Sequence, residues 1–179
     1  MAPSSRSAPP APPELPELGR LGPAGVAGRG AIVYCPRMHP PFRLAVPVPI
    51  RFRDTDAMGH VNNAVYLTYL EVARTAYWQR VFAIRSYNDV DFVVARAEID
   101  FLAPVFVHSD AEVWIRVSEI GRKSFRFAYE LAAGGAPAAR AETVQVMYDY
   151  ARSASKPMTE AQRAAILAFE EPGSVRVGG

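Results

Sequence analysis

Asp54-Thr55-Asp56-Ala57-Met58-Gly59-His60-Val61-Asn62-Asn63 is the stretch from which the fold of this chain is read. Before it, Val46, Val48, Ile50 and Phe52 alternate with Pro47, Pro49, Arg51 and Arg53. That is the period-2 pattern of a half-buried strand, and the two prolines mark a sheet edge or strand start. After it, no Pro or Gly occurs from Asn63 to Phe82. Val65, Tyr69, Val72, Ala73, Ala76 and Tyr77 recur there at helical spacing, and Leu67 and Leu70 widen the apolar face. The spacing predicts a long, largely buried helix, capped by Asn62 or Asn63.

Downstream, residues 83–90 are polar and read as a loop. Four strand-like runs follow, at about 92–102, 110–120, 123–132 and 140–151. In the second, Ala111, Val113, Ile115 and Val117 alternate with Glu112, Trp114, Arg116 and Ser118. Gly121-Arg122 makes a tight hairpin to the third, and Gly134-Gly135-Ala136-Pro137 the next turn. Thr159 and Gln162 form a capping box that opens a short helix ending before Pro172. The order is strand, long helix, antiparallel strands, short helix, which is an α+β fold with the helix segregated to one face of the sheet. A sheet edge left open in such a fold suits pairing with a second copy.

Upstream, residues 1–30 are dominated by Pro, Ala and Gly, a composition too poor in large apolar groups to offset chain entropy. Residues 1–45 are therefore expected to be a disordered or poorly ordered extension, 46–171 the folded domain, and 172–179 a flexible tail.

The chain has 179 residues, half of them apolar, with 20 basic and 18 acidic side chains. That suits one domain with a sizeable core. A formal charge of +2 gives no reason to expect nucleic acid or an acidic membrane as partner. No window approaches the ~20 apolar residues of a membrane span, and prolines interrupt any signal-peptide core. One cysteine, Cys35, allows no internal disulfide. The expected location is the cytoplasm. His39, His60 and His108 show no metal-ligand spacing, so no metal is expected.

A carboxylate on a turn, set against the start of a helix, is a physically reasonable acyl-transfer site. The carboxylate activates water or attacks a carbonyl. The free N–H groups of the helix start, aided by its dipole, stabilise the oxygen as it gains charge. Asp56 lies on that turn and Asn62 and Asn63 at that helix start. On spacing alone, ordinary capping is the commoner use of such residues.

Residues 54–66, Asp-Thr-Asp-Ala-Met-Gly-His-Val-Asn-Asn-Ala-Val-Tyr, following a strand and opening a long helix, resemble the 4-hydroxybenzoyl-CoA thioesterase-like branch of the hotdog superfamily. The resemblance runs from about Val46 to about Phe169. It includes Glu98-Ile99-Asp100-Phe101-Leu102-Ala103-Pro104 and Ile120-Gly121-Arg122-Lys123-Ser124-Phe125. It implies a hotdog fold, a long central helix wrapped by a curved antiparallel sheet of about five strands, with subunits paired into homodimers or homotetramers. It implies an acyl-CoA thioesterase with no cofactor, CoA being part of the substrate. Asp56 matches the catalytic carboxylate, as nucleophile or general base. Asn63 matches the position whose N–H polarises the thioester carbonyl. His60 stands third, as a residue that helps activate water or orient the acyl group.

Gly59, Asn62 and Tyr66 are further candidates for substrate contact, and Arg122, Lys123 and Ser124 for the CoA phosphates, which Arg and Lys favour. A solvated basic turn is the equal alternative for the hairpin. Asp54 is expected to pair with Arg51, Arg53 or solvent. Three rivals stand beside the leading reading: an acyl-carrier-protein thioesterase, which the His-Val-Asn-Asn run keeps open, a hotdog dehydratase, and a non-catalytic acyl-CoA-binding protein.

Overall fold

The computed structural model describes residues 41–84, 86 and 89–178, all within one compact unit. The expectations for residues 1–40, Cys35 and His39 among them, lie outside the described residues.

The chain enters through β1 (Leu44–Val48), a 3-10 turn (Phe52–Asp54) and the 54–62 stretch, then runs into α1 (Asn63–Phe82). There follow β2 (Phe92–Phe101), β3 (Ala111–Ile120), β4 (Ser124–Ala133), β5 (Ala136–Asp149), β6 (Ala154–Ser155), α2 (Glu160–Phe169) and β7 (Arg176–Val177). The five long strands lie in the order β1-β3-β4-β5-β2, all antiparallel. Register breaks at Val94/Arg96, Val117/Glu119 and Leu131/Ala132 add local twist and bend. This is the hotdog arrangement that the resemblance implies.

α1 packs on β1 and β3, and α2 packs on α1. The helix presents apolar groups on more than one side because its core face is broad. Tyr77 meets Phe127 and Phe169 edge-on at 4.9 and 5.4 Å, and Trp78 meets Phe92 at 5.0 Å. Phe127 is wholly buried, and burial of such a side chain contributes roughly 1.5–3 kcal/mol. Among the described residues no helix is long and apolar enough to cross a membrane.

Three expectations are corrected. The first strand ends at Val48, and Phe52 is 85% exposed instead of continuing the buried face. Pro49 brings no N–H to a ladder, and the Arg51 N–H and side chain both bond Asp54, which folds the chain into the 3-10 turn. The stretch read as a tail contains β7, which pairs in parallel with Glu119 and Ile120 of β3. Leu67 and Val72, read as part of the buried face of α1, are 46% and 43% exposed. Leu67 stands one turn before Glu71, which faces the open side of the helix beside β2.

Candidate active site

The 54–62 stretch folds as a small hairpin. Asp54 O accepts from Asn62 N (2.8 Å), Thr55 bridges Val61, and His60 O accepts from Asp56 N (2.8 Å). Gly59 closes the turn by donating to Asp56 O (3.0 Å). Its φ of +79° is the left-handed region that glycine enters without a Cβ clash. The hairpin is itself pinned from outside, since Val61 N donates to Val105 O and His60 bridges Phe106.

Asp54 anchors this hairpin to the core. It is only 3% exposed and accepts from Arg51 N (2.9 Å), Arg51 Nε (3.0 Å) and the Tyr69 hydroxyl (3.0 Å). Burial pushes its carboxyl pKa up, but the Arg51 and Tyr69 bonds outweigh that and hold it below the ordinary carboxylate value. Burial and the neighbouring Asp54 in turn keep the Tyr69 hydroxyl protonated. The pairing with Arg51 is the structural role expected of Asp54.

Asp56 differs. Its Oδ1 accepts from Met58 N (2.8 Å), which fixes the carboxylate over its own turn, and Oδ2 makes no hydrogen bond among the described residues. Asp56 stands two ladder positions from the Asp54/Asn62 pair, roughly 7 Å along an extended chain. At that other end α1 begins. Asn62 is the cap: its Oδ1 accepts from Ala64 N (2.9 Å) and its O from Val65 N (2.9 Å). The Asn63 N–H between them makes no hydrogen bond among the described residues. A half-committed carboxylate and an uncommitted helix-start N–H thus sit on one hairpin.

The His60 ring meets Phe106 edge-on at 5.0 Å and its side chain makes no hydrogen bond among the described residues. Tyr66, one turn into α1, is buried against Phe101 (4.9 Å), and burial raises its pKa. Arg122, Lys123 and Ser124 are not brought to the turn within this chain. Val48, which leads towards the turn, pairs with Ala111 at one end of β3, and the hairpin follows Ile120 at the other. Nine residue steps separate those ends, roughly 30 Å. Lys123 Nζ donates there to Ser155 Oγ (3.2 Å).

Sequence reasoning missed a cavity of about 480 Å³ between the C-terminal half of α1 and the start of β2. Trp78, Ile84, Val90 and Phe92 line it with apolar surface, and Glu71 and Arg74 with charge. The available signal was Arg74, a cation set directly after the buried Ala73. Beneath it lies a buried polar chain, with the Tyr129 hydroxyl 2.8 Å from Thr143 Oγ1 and Gln145 beyond. No group of three His, Cys, Asp or Glu converges to hold a metal among the described residues.

Residues 50–166 match the sequence profile of the thioesterase-like superfamily. A 1,4-dihydroxy-2-naphthoyl-CoA hydrolase of Nostoc punctiforme is 32% identical over 115 residues, covering 60% of this chain and 74% of that protein. The uncharacterised protein YsmA of Bacillus subtilis is 28% identical over 82 residues, 46% of this chain, and the chain spans only 56% of its length. A thioesterase from Thermus thermophilus, solved with coenzyme A and Zn, is 39% identical with a TM-score of 0.67. That match covers 73% of this chain and 96% of the other.

Proposed function

The chain belongs to the thioesterase-like superfamily, and on that premise we propose that it hydrolyses acyl-CoA thioesters to a free carboxylic acid and CoA at the 54–63 hairpin. The observation that carries the reading is the pairing on one hairpin of the Asp56 carboxylate, held through one oxygen only, with the uncommitted Asn63 N–H. Water attacks the thioester carbonyl while Asp56 Oδ2 takes its proton. The Asn63 N–H, at the positive end of α1, donates to the developing oxyanion. Collapse breaks the C–S bond, and the proton held by Asp56 passes to the leaving CoA thiolate. In the nucleophilic variant Asp56 attacks first, expels the thiolate, and water hydrolyses the resulting anhydride. The reaction draws on no cofactor. His60, against Phe106, borders the acyl group, with Gly59, Asn62 and Tyr66 around it.

CoA is favoured over a carrier protein as the leaving group because one relative is named for a CoA substrate and another was solved with coenzyme A. Two copies would complete the site. Among the described residues the outer edge of β2 is unpaired, and Val94, Phe101 and Leu102 along it are each about half exposed. A second β2 added antiparallel would set the Phe101 end of one strand, which adjoins the catalytic hairpin through Tyr66 and Phe106, beside the Phe92 end of the other. That end holds the cavity and, through the Lys123–Met147 backbone bond, the basic 121–124 hairpin. The turn of one protomer would so meet the acyl cavity and phosphate-binding hairpin of the other.

The test is thiol release from short, long and aromatic acyl-CoAs. Asp56→Asn and Asp56→Ala are expected to lose roughly 10²–10⁴-fold in kcat with the fold intact by circular dichroism. Wild-type rates in Asp56→Ala would sink the mechanism. Binding of acyl-CoA by the wild type without thiol release would make this a binding protein instead.

A further inference from the structure

We propose that Arg74, which lines the cavity between α1 and β2, selects acyl groups whose end remote from the thioester carries a carboxylate. The inference rests on the acyl-CoA reading above and names the substrate class for the same site.

The cavity is of small-ligand size, about 480 Å³, and mostly apolar in its walls. An acyl chain fills such a space without a directional contact. Arg74 changes its character. It is half-buried, and among the described residues it forms no ion pair. Two other partly buried arginines, Arg43 and Arg126, pair with carboxylates, Glu171 and Glu142 respectively. Glu71, one turn before Arg74, also lines the cavity but is exposed and does not pair with it. A cation drawn away from water without an anion is costly. A guanidinium presents a planar fork of donors that fits a carboxylate through two parallel bonds.

The polar group next to Arg74 is uncharged and does not neutralise it. Burial pushes the Tyr129 phenol up to about 12, with the charge of nearby Arg74 only partly opposing this, so the hydroxyl stays neutral. The Tyr129 hydroxyl and Thr143 Oγ1 share a hydrogen bond at 2.8 Å in which either oxygen can donate. With the Gln145 amide oxygen facing Thr143, its nitrogen donates to Thr143 O (3.0 Å) and Phe125 O (3.2 Å). Tyr129, Thr143 and Gln145 are all buried. The chain is closed, neutral and anchored on the backbone. The negative partner of Arg74 is therefore left to the ligand.

Distance decides which thioester is read. Arg74 follows Asn63 by eleven residues along α1, about 16 Å of helix. That is too far for a short acyl group activated on the same protomer. In the proposed antiparallel β2 pairing the turn of the other protomer would come to the cavity, within reach of a short acyl group.

The experiment uses the full chain and two acyl-CoAs of equal carbon number, glutaryl-CoA and pentanoyl-CoA. Thiol release is measured alongside calorimetric binding of their non-hydrolysable thioether analogues. Wild type is expected to favour the glutaryl group by roughly ten-fold or more, in kcat/KM and in affinity, as for a hydrogen bond to a charged group. Arg74→Met is expected to erase or invert that ratio, and Arg74→Lys to keep part of it. Equal or reversed preference in the wild type overturns the proposal, as does a ratio unchanged in Arg74→Met. If Arg74→Met does not fold, the wild-type ratio and Arg74→Lys decide. Selective binding of the glutaryl analogue without any thiol release supports the selection and overturns the hydrolysis. Thiol release without selection does the reverse, and no binding of either analogue overturns both.

Discussion

Asp54 accepts from Arg51 and Tyr69 inside the fold, while Asp56, two residues on, accepts only from the Met58 N–H among the described residues. The difference has a pH signature. Burial pushes the Asp54 pKa up, its hydrogen bonds push it down further, and the net folded value lies below the ordinary one. The folded state then binds fewer protons than the unfolded chain, so stability from Asp54 is present above the ordinary value of about 3.9 and is lost as pH falls through the lower folded value. Asp54→Asn is expected to melt well below wild type at neutral pH, with the gap narrowing in strong acid. Tyr69→Phe, which removes one bond to Asp54, is expected to cost about 1 kcal/mol. Thermal melts from neutral to acid pH check both, and a gap that widens in acid would contradict the assignment. The Arg51 partner was legible three positions away in the sequence. The Tyr69 partner was not, because it comes within reach only once α1 has folded back on the hairpin.

α1 was legible to its bounds because twenty residues without Pro or Gly follow an Asn cap. β1 was misjudged by a few residues because alternation continued in the letters after Pro49 and the Arg51–Asp54 bonds had turned the chain. α2 shows a device that no pattern announces. Glu170, at its C-terminal end, is 2% exposed and accepts from the Tyr77 hydroxyl (2.7 Å) and from Val117 N (2.6 Å), tying α2 to both α1 and β3. Its Oε2 is buried without a partner among the described residues. Burial raises its pKa, and the bonds from Tyr77 and Val117 with the charges of Arg116 and Arg43 only partly offset this. Here the sign is opposite to that of Asp54. The folded state holds the proton more tightly, so the contribution is favourable below the unfolded pKa and is lost as pH rises through the folded value. Glu170→Gln keeps an acceptor for both donors and carries no charge. It is expected to raise the melting temperature at neutral pH relative to wild type and to flatten the dependence on pH above the acid range. A fall in melting temperature at neutral pH would show that the ionised carboxylate is the better partner.

At the scale of the whole molecule, the hotdog arrangement and the hairpin that bears Asp56, His60 and Asn63 were legible because they are local in sequence or strictly periodic. The cavity was not, since α1 and β2 supply its walls from positions some twenty residues apart, and only the folded sheet sets them face to face. The exposed apolar side chains of α1 and β2 have the same origin. Leu67, Phe101 and Leu102 follow core spacing, yet each is about half exposed in the single chain. In the proposed dimer they are covered by the second copy. Leu67→Glu with Leu102→Glu is then expected to convert a dimer to a monomer in sedimentation, with thiol release lost in step and circular dichroism unchanged. A division of labour between copies, as proposed, predicts complementation between two variants. Asp56→Ala disables the hairpin, and Thr75→Trp fills the cavity that Thr75 lines. Each variant alone is expected to be inactive. In a heterodimer of the two, one site combines the damaged hairpin with the filled cavity, and the other combines the intact hairpin with the intact cavity. Mixed dimers should therefore recover up to about half the wild-type activity per dimer, as one of the two sites of a C₂ pair is whole. If hairpin and cavity of the same chain formed each site, every site in the mixture would carry one defect, and no activity would return.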